Sequence, residues 1–407
     1  MKDARSISEL NIFRDGQRAG ILRRTPAGCE FTFSEDFLQQ QNFAGLCFCM
    51  QKSQTCLINP GVNLFPFFAG LLPEGLRLKS LLRNLKTSED DLFSMFASIG
   101  DQVIGDVYAG IERSADETQI PKLREINFYE YFQKVLSGSA IMRDEAIAGA
   151  QEKLSASMIS FPVNIAKENC RYILKLNPPD KPNLVENEHF CMELARKCGI
   201  ETARTSLVRD RDGNNGLLVT RFDRVWNEKS GRFLMHHQED ACQMLDRYPA
   251  DKYRVAFNDI VRGIMRHVAA AKVAILRLIE VYAFSYLVGN GDLHAKNLSL
   301  LVKSGSRMAE VSPAYDLLCT YIYGDHKMAL KLDGRDDNLK RHTFVDFAGR
   351  FGVSEAAVSK MLDRLTARFC RYSAVLQHIP MTEKQRTQLE KVTKKRLQDL
   401  SPQPENA

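Results

Sequence analysis

The 407-residue sequence predicts an α+β protein in which a β-rich N-terminal subdomain precedes two lobes, the last of them all-helical. Three observations predict it. Short apolar runs separated by turn residues occupy the chain as far as Ile58. Two strand-like runs, Arg171–Leu176 and Leu217–Thr220, then flank a helical pattern over Leu184–Cys198. From about Trp226 onward the apolar residues recur at helical spacing. Boundaries at 1–113, 125–225 and 226–407 follow, with the polar segment Arg113–Arg124 as the linker.

Composition narrows the class. Hydrophobic residues at 44% and charged residues at 26% describe a globular chain rather than a disordered one. No run reaches the ~18 apolar residues of a membrane span. Met1–Ser6 is polar and lacks the apolar core of a signal peptide, so a cytoplasmic location is expected. The ten cysteines include no C-x-x-C and sit within apolar patterns, as reduced thiols rather than zinc ligands or disulfides. A net charge of +6, spread along the chain, permits an acidic partner without identifying one.

The first elements read as an antiparallel meander. Leu10–Phe13 leads into Asp15-Gly16, a favoured hairpin turn, and the chain returns through Ala19–Leu22 and Glu30–Phe33. Leu46–Met50 and Cys56–Ile58 extend the β pattern. Ser88–Asp91 places acidic residues at the start of a helix, on the positive end of its dipole. In the next lobe, Ala148, Gly149, Ala150, Gln151, Glu152 and Lys153 form a small-residue loop whose backbone N–H groups can cradle phosphates, although a plain hairpin turn reads equally well. Lys175 lies inside an apolar strand, either as a snorkelling edge residue or as an anchor for nucleotide phosphates. The helix Leu184–Cys198 stops at Gly199 and places Glu188 near its apolar face and Glu193 away from it, so Glu188 is the better partner for Lys175. Leu217–Thr220 enters Arg221-Phe222-Asp223-Arg224, a turn suited to a hinge where backbone at Thr220, Arg221 and Phe222 meets an adenine edge.

The most informative stretch is Gly289–Asn297, a polar, glycine-bracketed loop between two apolar runs. Asp292 and Asn297 stand at the spacing of the aspartate and asparagine in a kinase catalytic loop. One carboxylate orients an attacking hydroxyl and accepts its proton, while an amide oxygen a turn later holds Mg²⁺ on the nucleotide phosphates. A second metal carboxylate belongs after a following strand, and Asp316 stands there after Ala309–Val311. This set predicts a two-lobed, protein-kinase-like arrangement. Asp292 is the base, Asn297 and Asp316 hold the metal, and Lys175 and Lys296 neutralise phosphate charge. His294 and Tyr315 lie beside the nucleotide, with His294 bracing the loop rather than acting as base. Further on, Phe347–Ser359 mimics a helix-turn-helix but is read as two packed helices joined at Gly352.

Taken together, the meander, Leu72-Pro73-Glu74-Gly75, Gly149–Lys153, Ile173-Leu174-Lys175, Arg221–Arg224, Gln238-Glu239-Asp240, Gly291–Asn297 and Tyr315-Asp316 resemble the HipA family of bacterial serine/threonine kinase toxins. The resemblance implies ATP and Mg²⁺, a HipB-type DNA-binding antitoxin, and a protein substrate, an aminoacyl-tRNA synthetase in members with known targets. DNA would be met only through the antitoxin. The family commonly has a serine ahead of the Ala-Gly-Ala-Gln loop whose autophosphorylation switches the kinase off. Here that position is Ala146, which puts self-inactivation in doubt but not phosphoryl transfer. Gly291-Asp292-Leu293-His294 also resembles the loop of aminoglycoside and choline kinases, and a non-catalytic corepressor is a further alternative. The meander and Arg221–Arg224 argue against the first; an intact Lys175, Asp292, Asn297 and Asp316 argues against the second.

Overall fold

The computed structural model describes residues 4–61, 64–100, 103–110, 123–131, 158–163, 169–178 and 182–402. Ala146, most of the segment Arg113–Arg124 and the loop residues Ala148, Gly149, Ala150, Gln151, Glu152 and Lys153 lie outside the described residues.

The N-terminal subdomain is a five-stranded antiparallel sheet faced by helices. Its elements in chain order are β1 (Glu9–Arg14), β2 (Gln17–Thr25), β3 (Gly28–Phe33), α1 (Glu35–Gln39), β4 (Cys56–Pro60), α2 (Pro66–Gly70), α3 (Gly75–Leu85), α4 (Leu92–Ile99) and β5 (Val107–Ala109). The strand order is β4-β3-β2-β1-β5. Asp15 and Gly16 both take positive φ, 45° and 80°, the geometry of the tight turn that their sequence favours. Alternation in β3 sends Phe31 and Phe33 inward, where Phe37, Phe68 and Phe96 complete an aromatic core. Asp91 caps α4 by accepting the Ser94 N–H.

Leu46–Met50, expected as a strand, is a loop closed by a bridge between Gly45 and Gln51. Its carbonyls at Gly45 and Leu46 are taken by the buried guanidinium of Arg14 instead of a neighbouring strand. Its far side docks on the rest of the molecule, with Phe48 N–H on Glu239 at 2.7 Å.

The second lobe is a four-stranded antiparallel sheet in the order β6-β7-β9-β8. It comprises β6 (Ile159–Val163), β7 (Tyr172–Leu176), α5 (Leu184–Cys198), β8 (Thr205–Arg209) and β9 (Asn215–Thr220). Gly199 ends α5 at φ 94°, as its position after the last apolar residue predicts.

The last lobe is helical in its bulk: α6 (Ala241–Met244), α7 (Phe257–His267), α8 (Ala271–Val288), α9 (Arg341–Gly349), α10 (Glu355–Tyr372) and α11 (Glu383–Leu400). It also carries short strands. A hairpin of β10 (Arg224–Asn227) and β11 (Arg232–Met235) leads in, and β12 (His237–Asp240), β13 (Ser299–Val302) and β14 (Ala309–Val311) form a small sheet. β12 escapes helical-period reading because it is four polar residues, all buried. Gly352 (φ 75°) separates α9 from α10, and Ser354 caps the second helix, so this pair packs as two helices of one core. Among the described residues no helix is long and apolar enough to cross a membrane, and all ten cysteines are free.

Candidate active site

Helix α8 is buried along most of its length and aims its C-terminus at the polar loop. Gly289 ends it in the left-handed region at φ 78°, where a Cβ would stand 2.8 Å from the Tyr321 Cβ. A Cβ at Gly291 would stand 2.5 Å from the Lys327 carbonyl oxygen, so the loop is pressed against the chain that follows Asp316. Hydrogen bonds fix that contact. The Gly289 carbonyl accepts the N–H groups of Thr320 and Tyr321, each at 3.0 Å, and the Gly291 N–H donates to Thr320 Oγ1 at 2.7 Å.

Asp292 stands fully buried on this base. Its N–H donates to Asn290 Oδ1 at 3.0 Å, and its Oδ1 accepts the Tyr253 hydroxyl at 2.6 Å. Burial first, and then the neighbouring carboxylate, push the Tyr253 phenol far above its ordinary range, so it remains a donor to Asp292. Asn297 Nδ2 donates to the Asp292 carbonyl at 3.2 Å, which orients the amide. The His294 ring packs edge-on against Tyr253, with centroids 5.1 Å apart.

The second half of the site comes from the four-stranded sheet. Lys175 on β7 donates to both carboxylate oxygens of Glu188 on α5, each at 2.8 Å, and also pairs with Asp316. Glu193 points elsewhere and meets Lys197. Burial alone would lower the Lys175 pKa, but the two carboxylates outweigh it and hold the ammonium charged. One ammonium cannot neutralise both acids. Glu188 is pushed up to about 7, chiefly by burial and further by Asp316, with Lys175 opposing. Asp316 itself sits at φ 55°, a conformation sparsely used by side-chain-bearing residues other than asparagine and aspartate. Asn187, fully buried on α5, clasps the chain three residues beyond it: Nδ2 donates to the Cys319 carbonyl at 2.9 Å and Oδ1 accepts the Cys319 N–H at 2.7 Å.

The residues present suit a magnesium nucleotide. Asp316 and Asn297 offer hard oxygen donors, and Lys175 places a buried positive charge on the Asp316 side. Among the described residues no group of three acidic, histidine or cysteine side chains forms a complete metal cage. A small hard cation held by Asp316 and Asn297 would share its remaining positions with phosphate oxygens and water, as magnesium sites with nucleotides do.

Comparison with known proteins gives the family. The HipA-like C-terminal domain matches residues 146–372, and the HipA N-terminal domain matches residues 10–109. The chain belongs to the HipA family. It is similar to Y4mE of Sinorhizobium fredii, named as a candidate kinase, with 29% identity over 81% of this chain and 82% of that protein. A second candidate kinase of that organism, Y4dM, is 28% identical over 87% of this chain and 88% of its own length. Among solved structures, the HipA chain of a Shewanella oneidensis HipA, HipB and operator DNA complex superposes with a TM-score of 0.72. The two cover 96% of each other at 20% identity, so that likeness establishes the HipA fold.

Within this HipA-family site, the structure brings Asp292, His294 and Asn297 together on one loop, and Lys175 and Asp316 together beside it. It gives five expected residues protein partners. Lys296, expected to face phosphate, is fully enclosed: its ammonium lies 2.5 Å from Asp240 and donates to the Gly70 carbonyl at 3.2 Å, because the N-terminal subdomain closes over it. The backbone N–H groups of Thr220 and Arg221 are spent on the carbonyls of Arg204 and Arg171, each at 2.8 Å, and do not face an adenine edge. The Arg221 side chain instead grips Asp223 and the Val103 carbonyl. Phe222 packs against the Tyr315 ring, whose hydroxyl bonds Ser299 and the Lys296 carbonyl. Tyr253, Asn187, Glu74 and Asp240 escape sequence reasoning as site residues. Asn187 carries a readable signal, an amide on the same helical stripe as Cys191, Leu194 and Cys198, and Glu74 and Asp240 stand in two of the motifs that carry the resemblance.

Proposed function

We propose that this chain is a protein serine/threonine kinase that transfers the ATP γ-phosphate to a protein hydroxyl and acts as the toxin of a toxin–antitoxin pair. The observation that carries the reading is the convergence of Lys175, Glu188 and Asp316 beside a loop that presents Asp292 and Asn297. Phosphoryl transfer asks a protein mainly for positioning and charge stabilisation. Lys175 supplies charge for the nucleotide phosphates, and Asp316 and Asn297 supply oxygen ligands for Mg²⁺. When bound, Mg²⁺ would neutralise phosphate charge in the reacting nucleotide. Asp292 Oδ2 or Oδ1 would accept the proton of the attacking hydroxyl as the new O–P bond forms and ADP departs. Tyr253 holds that carboxylate in place through Oδ1.

Family membership supports a HipB-like antitoxin as partner, with DNA met through it. It also favours a component of translation, an aminoacyl-tRNA synthetase, as the phosphorylated protein. The test is phosphoproteomics after induced expression, comparing the wild type with Asp292→Asn. Phosphorylated serine or threonine sites that appear only with the wild type support the reading; an identical phosphoproteome in both, with both proteins folded, removes it. Purified protein with labelled ATP and choline or aminoglycosides should give no labelled small molecule.

A further inference from the structure

Glu74 begins helix α3 in the N-terminal subdomain, yet its side chain makes no capping bond to that helix. It reaches into the helical lobe. Its Oε2 accepts the fully buried Lys252 ammonium at 2.6 Å, and its Oε1 lies 3.6 Å from the Lys296 ammonium. These two lysines bracket the candidate base. Lys252 immediately precedes Tyr253, whose hydroxyl holds Asp292 at 2.6 Å, and the Lys252 carbonyl accepts the Ala295 N–H at 3.1 Å. Lys296 immediately precedes Asn297, which holds the Asp292 carbonyl. Asp240, at the end of β12, completes the cluster on Lys296 at 2.5 Å.

Two lysines and two acids sealed together are expensive to bury and add little to stability unless they do something else. Here every member touches the segments that hold Asp292. A Cβ at Gly70 would stand 2.5 Å from Gln243 Cγ, and Gln243 Nε2 donates to the Phe67 carbonyl at 3.0 Å, so α2 is seated tightly against the same place.

Resting on the kinase reading above, we propose that Glu74 is a positioning residue for phosphoryl transfer: through Lys252 and Lys296, the N-terminal subdomain fixes the loop of Asp292 and the Tyr253 hydroxyl that holds its carboxylate. The N-terminal subdomain is then part of the catalytic apparatus, although it contributes no group to the reacting atoms. Lys175 keeps its pairs with Glu188 and Asp316, outside the Glu74–Lys252–Lys296–Asp240 cluster, so the loss on changing Glu74 falls mainly on kcat.

The experiment uses the full chain with labelled Mg-ATP and a bacterial lysate as acceptor, and compares Glu74→Gln, Tyr253→Phe and the double variant. Glu74→Gln should lower kcat by about 10- to 100-fold, the scale of a small misplacement of a reacting group, with the KM for ATP near the wild-type value. Glu74→Asp, which keeps the charge, should recover part of the loss. In the Tyr253→Phe background, Glu74→Gln should cost less than in the wild type, because both act on one carboxylate. Additive losses, or a raised KM with kcat kept, would overturn the proposal in favour of a merely structural contact. If Glu74→Gln does not fold, Glu74→Gln/Lys252→Met removes opposite charges together and should show the same kcat loss; a wild-type kcat overturns the proposal. If the wild type itself transfers no label, the kinase reading fails while the positioning claim is still decided by amide hydrogen exchange. Faster exchange across residues 289–297 in the folded Glu74→Gln protein supports it, and unchanged exchange there overturns it.

Discussion

Lys175 and Glu188 form a buried ion pair at 2.8 Å that also engages Asp316, so three charges from a strand, a helix and a loop meet at one point. Lys175 therefore matters to the free protein as well as to ATP. Lys175→Met strands Glu188 and Asp316 together with no counter-charge, which should cost about 3 kcal/mol or more and lower the melting temperature. Lys175→Met/Glu188→Gln should recover much of that loss. Neither variant should recover the stabilisation that Mg-ATP gives the native state, about 2.7 kcal/mol at a hundredfold excess over Kd. A full Mg-ATP shift in the folded double variant would make Lys175 a purely structural residue.

Asp292→Asn tests the base. Asparagine keeps the shape and still offers an oxygen to the Tyr253 hydroxyl, so the melting temperature and the Mg-ATP shift should both stay near wild type. Label transfer should fall by roughly 10²–10⁴, the worth of a positioned acid–base group. Transfer at the wild-type rate by a folded Asp292→Asn protein would remove Asp292 from the chemistry.

Much of this arrangement is legible in the sequence because it is local. The spacing from Asp292 to Asn297, the turn at Asp15-Gly16 and the stop of α5 at Gly199 are all set within a few residues. Glu188 was separable from Glu193 because helical period alone decides which faces the sheet. What stayed hidden depends on contacts between distant segments. Leu46–Met50 has strand-like composition, but Arg14 takes its carbonyls. Lys296 looks like a phosphate ligand until Glu74 and Asp240, remote in sequence, are seen around it. The polar strand His237–Asp240 has no apolar alternation because both its faces meet buried charge.

Asp316 carries two demands, one on its backbone and one on its carboxylate. At φ 55° asparagine is tolerated, whereas a β-branched side chain is strained by roughly 1–3 kcal/mol. Asp316→Asn should therefore melt close to wild type and Asp316→Val clearly below it. Both should lose the magnesium-dependent part of the ATP shift. Equal melting of the two variants would show that the conformation imposes no constraint, and an undiminished magnesium effect would place the cation elsewhere.

His237 links the N-terminal subdomain to the same machinery and gives the protein a defined pH response. Its Nδ1 meets Asp106 at 2.5 Å and its Nε2 meets Glu239 at 2.7 Å, while Arg14 also reaches Asp106. Burial and Arg14 oppose a charged ring, but the bonds to Asp106 and Glu239 outweigh them and raise its pKa. Asp106 is held down at about 2, since His237 and Arg14 more than offset its burial. The signs follow from linkage. The raised His237 contributes stability that is complete below the ordinary imidazole value of about 6.5 and is lost as pH rises through its higher folded value. The depressed Asp106 contributes stability that is present above the ordinary aspartate value and is lost as pH falls toward 2. The melting temperature should accordingly decline on both sides, and His237→Gln should flatten the alkaline decline and, by removing one of the two groups that hold Asp106 down, soften the acid decline as well. Because β12 runs from His237 to Asp240, which holds Lys296, label transfer by the wild type should weaken over the same alkaline range as the melting temperature. Melting curves from about pH 2 to about pH 9 for both proteins decide this. A wild-type melting temperature that stays level or rises through the alkaline range would mean that His237 is held neutral between its two carboxylates.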